Sequence, residues 1–365
     1  MKRLCKIISS LFACTLPFTS FTQPASADTL LGAYYGNQGW EMGNVQALET
    51  WQVKKNAITN LFTNWCNQTS TQDNLFNHQL PYIWNNQNVP MITWEPYLCS
   101  ASSTPNNIEV QIAQGKYDKY INNWATRLKT FLSGPDGVYN TSNDRRVYIR
   151  LGHEMNGSWY PWGAAMGNNS PSDYVNMWKR VKGILDSKGL GANHVQWVWT
   201  VNNDDVGGYS AESYYPGDAY VDWIAIDGYN WGTSQSWSNW QTPQQVFGSM
   251  MNRLRAISNR PLTITEFATS TSTSAGNSVT AKEQWITDVF NYATAQNIKM
   301  LLWFNEDKET DWAVFGGSRG DGTFMYGSQT YITNSAYSSS VADSQFIPSN
   351  HSNPRLLTDA QFTGQ

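Results

Sequence analysis

The chain has 365 residues, of which 40% are apolar and 14% charged, with a formal net charge of -4. So small a net charge excludes a charge-swollen disordered chain, and the lack of a basic excess excludes the electrostatic footprint of a nucleic-acid binder. The length can bury a substantial core in one large domain or two ordinary ones, and 18 Trp, 19 Tyr and 14 Phe suit either a large core or a surface that stacks on a neutral, hydroxyl-rich ligand such as sugar.

The amino terminus reads as an address. Lys2, Arg3 and Lys6 precede an apolar run from Ile7 to Leu16, and a polar stretch then ends in Ala25-Ser26-Ala27. This is the layout of a secretory signal covering residues 1–27, and the run is too short to span a bilayer. A lipoprotein signal at Cys14 is disfavoured by the bulky Phe12. Cleavage after Ala27 removes Cys5 and Cys14 and leaves Cys66 and Cys99, an even pair for which a disulfide suits an exported chain. His78, His153, His194 and His351 form no ligand spacing with these cysteines, so no metal is expected.

Beyond the signal, β-rich runs alternate with helical stretches. Strands are expected at Leu30 to Tyr35, Ile58 to Trp65 and Val89 to Pro96, with a helix from Ala47 to Asn60 whose border with the second strand is unclear. On this layout Cys66 and Cys99 follow neighbouring strands on one rim, so their loops should touch. Tyr117, Tyr120, Ile121, Trp124 and Leu128 repeat at helical spacing within Lys116 to Leu132. A fourth strand follows at Arg146 to Leu151, then a helix from Asp173 to Leu185 with Ser172 as its N-cap, then strands at Val195 to Val201 and Trp223 to Gly228. Thr242, Pro243 and Gln245 form a capping box with Pro at the first helical position, opening a helix to about Ile257. Strands at Pro261 to Phe267 and Lys299 to Phe304 flank a helix at Lys282 to Ala295. One more helix and an irregular tail, residues 341–365, complete the chain.

Eight strands alternating with helices predict an α/β fold: a single (β/α)8 TIM barrel over residues 28–340, with its site at the carboxyl ends of the strands. A doubly wound sheet competes, but no Gly-rich phosphate loop follows the first strand. The rim then collects Trp94 and Glu95, His153, Glu154 and Asn156, Trp159 and Trp162, Asn202 to Asp205, Asp227, Tyr229 to Trp231, Glu266, and Trp303 to Glu306. Carboxylates can transfer protons and attack carbon, amides bind hydroxyls, and indoles stack on sugar faces. Glycoside hydrolysis by retention needs two carboxyl groups about 5–5.5 Å apart. Glu154 and Glu266 are the expected pair, because the fourth and seventh strands face each other across the mouth. Two motifs are set aside. Gly316-Gly317-Ser318-Arg319-Gly320 matches an esterase pattern but lacks the strand-to-helix setting that pattern needs. A glycan on the triplet Asn156-Gly157-Ser158 would block the mouth beside Glu154.

Arg150-Leu151-Gly152-His153-Glu154-Met155-Asn156-Gly157-Ser158-Trp159-Tyr160-Pro161-Trp162 resembles the signature of glycoside hydrolase family 26, and Ile264-Thr265-Glu266-Phe267-Ala268 resembles its nucleophile strand. The resemblance runs over roughly residues 30 to 315. It implies Glu154 as general acid/base and Glu266 as nucleophile. It also implies His153 beside Glu154, Tyr229 hydrogen-bonded to Glu266, and Trp159 and Trp303 as aromatic walls; Trp162 and Glu95, by their place on the rim, are further expected substrate contacts. Where mannanases of that family carry a His near the end of strand three, this chain has Thr93-Trp94-Glu95-Pro96. That stretch is instead similar to members that cut β-1,3-1,4-glucan. The expectation is a secreted, monomeric endo-β-glycanase acting on a polysaccharide, mixed-linkage glucan or mannan, with no cofactor, nucleic acid or membrane span. A non-catalytic polysaccharide-binding barrel is the alternative, and it would not require both carboxylates.

Overall fold

A computed structural model describes residues 28–167 and 169–365; the expected signal segment lies outside them. Eight parallel strands close into a barrel: Thr29–Tyr34, Ile58–Asn64, Val89–Glu95, Val147–Leu151, Val195–Asn202, Trp223–Asn230, Leu262–Thr269 and Met300–Phe304. Closure is made by pairing of the first strand with the eighth, from Leu30 opposite Met300 to Tyr34 opposite Phe304. Among the described residues no helix is long and apolar enough to cross a membrane.

Residues alternate between the barrel interior and the helix-facing side, because side chains on a strand have a period of two. The lowest interior layer is apolar and includes Leu30, Ile58, Met91, Tyr148, Val198, Trp223 and Leu302. It is crowded enough that a Cβ on Gly32 would lie 2.8 Å from Leu302 and 2.9 Å from the Ile58 carbonyl. Above it the interior turns polar, with Asn60, Thr93, Arg150, Thr200, Asp227 and Thr265 all buried. The mouth of the barrel therefore rests on a polar floor over an apolar base.

Several boundaries differ from the sequence-based expectation. The first helix is Met42–Trp51, ending well before Asn60, which belongs to the second strand. The helix after the fourth strand begins at Pro171, and Ser170 with Asp173 forms its capping box, so the cap is not Ser172. The box at Thr242 and Gln245 is present as expected. A helical stretch at Thr69–Asn85 and the helix Ile108–Ala113 were not anticipated. Phe76, Leu80 and Ile83 in the first, and Ile108 and Ile112 in the second, are buried at helical spacing, but each helical run is only five or six residues long.

The segment expected to be an irregular tail is part of the barrel. Phe346–Ile347 pairs with Thr29 and Leu30 of the first strand. Leu356, Leu357 and Phe362 join the apolar base. Arg146 donates to the Leu357 carbonyl at 2.8 Å, pairs with Asp359, and lies over the Phe362 ring. Tyr148 donates to the Phe362 carbonyl at 3.2 Å. The tail thus plugs the end of the barrel opposite the site. Phe362→Ala should cost about 3 kcal/mol of stability, the usual size of a buried Phe truncation. Urea unfolding measures it, and an unchanged midpoint would show that the plug contributes nothing.

Candidate active site

The site begins with one buried cation. Arg150 sits inside the fourth strand, fully enclosed. Its Nε donates to Thr93 Oγ1 at 2.9 Å, one terminal nitrogen donates to Asp227 Oδ2 at 2.6 Å, and the other pairs with Glu266 Oε1. Burial works against its charge, but Asp227 and Glu266 outweigh burial and raise its pKa above the ordinary value. One oxygen from each of Glu154, Asp227 and Glu266 lies within 4.8 Å of the others. The guanidinium supplies a fixed positive charge at this acidic cluster.

A register shift aims Glu266. Ile226 pairs with Ile264, but the next residue, Asp227, pairs with Glu266. The same slip appears against the eighth strand, where Leu301 and Trp303 face Ile264 and Phe267. Thr265 is the extra residue of a β-bulge, a device common beside active sites. It lets two consecutive side chains point inward. Thr265 Oγ1 donates to Asp227 Oδ1 at 2.8 Å, while Glu266 meets Arg150 and accepts at Oε2 from the Tyr229 hydroxyl at 2.7 Å.

Glu154 is placed by a different distortion. Gly152 and Glu154 both take left-handed backbone, at φ 51° and 53°. For a residue with a Cβ this costs on the order of 1 kcal/mol or more. The kink turns the carboxylate over the mouth, where Oε2 accepts from Trp159 Nε1 at 2.8 Å. Burial first, then the nearby Glu266 charge, push the Glu154 pKa up to about 7. Asn156 locks this loop. Its amide donates to the Asn202 and Asp204 carbonyls and to Asp205, and its oxygen accepts from the Asn202 amide at 2.8 Å. A buried amide so occupied is a poor glycan acceptor, in line with the sequence reading.

The carboxylates open into a cleft of about 720 Å³, a size suited to several sugar rings' worth of contacts. Glu95, Glu154, Trp159, Tyr229 and Glu266 line it as expected. At Glu95, burial pushes the pKa up to about 7, although Arg150 opposes the shift. Three expected contact residues do not reach the cleft. Trp303 is buried and faces outward, packed on Phe267 and Tyr337, because its neighbour Phe304 takes the inward position. Trp162 is buried, stacks on Tyr160 and donates to the His153 carbonyl at 2.8 Å. His153 lies behind the wall, with Nε2 3.0 Å from the Tyr160 hydroxyl. Burial, then Arg150 and Lys308, lower its pKa far enough to keep it neutral.

The aromatic wall that sequence reasoning assigned to Trp303 is made by Trp312, with Trp231 and Trp237 beside it. Trp312 lies 5.1 Å from Tyr229 and 4.8 Å from Trp231, ring centre to ring centre. Trp303 supports it from behind, donating to the Trp312 carbonyl at 3.1 Å. The same loop is held by the buried Lys282, which donates to the carbonyls of Asp311 and Ala313. Cys66 and Cys99 are joined by a disulfide between the loops after the second and third strands, with Cα atoms 4.2 Å apart. Ser318 of the esterase-like pattern lies in a loop beside Asp307, between no strand and helix.

Residues 71–273 match the model of glycosyl hydrolase family 26. Endoglucanase H of Acetivibrio thermocellus is 36% identical over 293 residues, 78% of this chain and 28% of that protein. A mannan endo-1,4-beta-mannosidase of Bacillus subtilis is 26% identical over 45% of this chain and 47% of its own length. The chain thus spans between about a fifth and a half of the length of the curated relatives it matches. Among solved structures, a modular endo-beta-1,4-mannanase from Cellulomonas fimi superposes with a TM-score of 0.60 at 17% identity, covering 92% of this chain and 74% of that one. Bacillus subtilis mannanase man26 gives 0.54 at 18% identity, covering 80% and 82%. These likenesses carry the barrel fold. The chain belongs to glycoside hydrolase family 26.

Trp237→Ala, at a ring that lines the cleft and is 68% exposed, should weaken turnover of a polysaccharide severalfold while the melting temperature holds. Trp303→Ala should instead cost about 3–5 kcal/mol of stability, because it empties a packed site. Thermal unfolding beside initial rates separates the two, and the reverse pattern would return Trp303 to the cleft.

Proposed function

We propose that this chain is a secreted retaining endo-β-glycanase in which Glu266 is the nucleophile and Glu154 the general acid/base. The observation that carries the reading is the pair itself. Two carboxyl groups approach within 4.8 Å across the mouth, close to the separation that suits retention and too close to admit a water between them for inversion. Their surroundings are opposite. Glu266 accepts from a fixed cation and a phenol. Glu154 is desolvated and holds its proton up to about pH 7.

In the first step Glu266 attacks the anomeric carbon as Glu154 gives its proton to the leaving oxygen. Forming the glycosyl ester removes the negative charge of Glu266. That charge is one of the causes raising the Glu154 pKa, so its loss makes Glu154 ionise more readily. Glu154 is then in the right state to take a proton from water, which attacks the same carbon and restores Glu266. Trp312, Trp231 and Trp159 give apolar faces for the sugar rings, and Tyr229 keeps Glu266 aimed.

Glucan is favoured over mannan as substrate. The relative named an endoglucanase is 36% identical across most of this chain, whereas the mannosidase is 26% identical across less than half. Strand three ends in Glu95 where the mannanases of the family carry a His nearby. The basic-then-apolar leader and the disulfide support export. Reducing-sugar release from β-1,3-1,4-glucan, linear mannan and xylan tests the reading. Glucan should be turned over fastest; preference for mannan would correct the substrate, and no release from any would remove the activity.

Azide assigns the two roles. With Glu154→Ala and an activated aryl glycoside, the glycosyl-enzyme should accumulate, and azide should restore turnover with retained configuration. With Glu266→Ala, azide should enter the space left and give the inverted product. The opposite stereochemistry would exchange the assignments.

A pH profile follows from the same cluster. The acid must be protonated in the free enzyme, so kcat/KM should fall as pH rises through about 7. Because the Glu266 charge raises the Glu154 pKa, Glu266→Gln should lower it. Carbon-13 NMR titration of labelled carboxyls would detect the shift; an unmoved Glu154 would mean that burial alone sets it.

A further inference from the structure

Outside the cleft, the described surface carries one compact group of exposed rings. Trp40 follows the first strand, and His78 and Tyr82 lie on the helical stretch after the second. Trp40 is 41% exposed and Tyr82 43% exposed. The Trp40 and Tyr82 ring centres are 6.0 Å apart at 73°, and Trp40 lies 5.8 Å from His78 at 32°. Singly exposed aromatics are ordinary, but contiguous ones beside a binding cleft mark a contact surface.

Two features distinguish this group from side chains left over by packing. The first is continuity with the cleft. Gln38 lines the cleft, and Trp40 is two residues further along the same turn. Gln79, next to His78, donates to the Gln38 carbonyl at 2.9 Å. The second is rigidity. The turn is closed by hydrogen bonds from Gly39 and Glu41 to the Gly36 carbonyl and from Trp40 to the Asn37 carbonyl. Gly39 has φ 88°, and a Cβ there would lie 3.1 Å from the Gln79 carbonyl and from Ile83. The turn and the helix are thus in close contact, and the rings lose little freedom on binding a ligand.

We propose that Trp40, His78 and Tyr82 form an outer platform for the same glycan chain, continuing the cleft past Gln38. This rests on the proposed glycanase reading. Rings of this kind present apolar faces to sugar C–H groups and a polar edge, in Nε1, the imidazole or the phenol, to hydroxyls. No Asp, Glu, Lys or Arg is among the three, which suits a neutral polysaccharide. The platform would act only on chains long enough to leave the cleft, so it separates polymer from short substrate.

The test compares Trp40→Ala, Tyr82→Ala and Trp40→Phe with wild type. For β-1,3-1,4-glucan, KM should rise roughly three- to tenfold in the Ala variants, the range expected from losing one aromatic contact, while kcat/KM for a short aryl glycoside stays unchanged. Trp40→Phe should recover most of the polymer KM. Binding is read separately on a Glu266→Ala background by electrophoresis through gels containing the glucan, where the Ala variants should be retarded less. This second readout does not need turnover, so it stands even if the glycanase reading fails. Equal retardation of all variants overturns the platform. So does an equal fall in both activities, which would signal structural damage. A change in sedimentation coefficient on Trp40→Ala would assign the rings to contact between copies of this chain, and also overturns it.

Discussion

The buried guanidinium of Arg150 is the constraint on which the site depends. An isolated charge in a barrel interior is very costly, and removing one partner of a buried pair typically costs about 3–5 kcal/mol. Here the charge is met on three sides by Thr93, Asp227 and Glu266. Those groups come from the third, sixth and seventh strands, and Arg150 from the fourth. One side chain therefore holds four of the eight strands in a common register at the level of the site. It also sets the electrostatics of everything above it, opposing the shift at Glu95 and helping to keep His153 neutral.

Around that cation, the regular alternation of a β-barrel is broken at two places. The bulge at Thr265 turns a strand that would bury one inward residue in two into one that offers Thr265 and Glu266 together. The left-handed turn at Glu154 bends the chain back over the mouth at the end of the fourth strand. A straight strand could not have brought both carboxylates over one point. The strain at Glu154 is offset by the Asn156 clamp to the next loop and by the ring stack of Tyr160 on Trp162. Asn156 and Trp162 thus hold the Glu154 turn from behind, while Trp159 and Tyr160 also line the cleft.

Much of the fold is legible in the sequence. Strand spacing gave the barrel, and its boundaries moved by only a residue or two because Val, Ile and aromatic runs end where polar rim residues begin. Glu154, Glu266 and Tyr229 lie where their motifs placed them, and the cysteines meet. The misplacements share a cause. Trp303, Trp162 and His153 were assigned by nearness to a strand end, whereas the direction of a side chain follows its parity on the strand or the path of the loop. Parity could have warned of Trp303: Met300 and Leu302 occupy the interior, which puts Phe304 there and Trp303 outside. Trp237 sits in a loop without periodicity, so no pattern marked it.

The amino-acid sequence by itself determined the class of fold and the family, because these rest on local signals: period, caps, turn residues and a motif read in order along the chain. Tertiary structure decided what depends on residues far apart in sequence. The bulge shows only against the neighbouring strands, and the raised pKa of Glu154 exists only because Glu266, 112 residues further on in sequence, is folded beside it. The tail 341–365 looked irregular because its elements are too short to show a period. It is ordered because Leu356, Leu357 and Phe362 fill the open base of a barrel built by the other end of the chain.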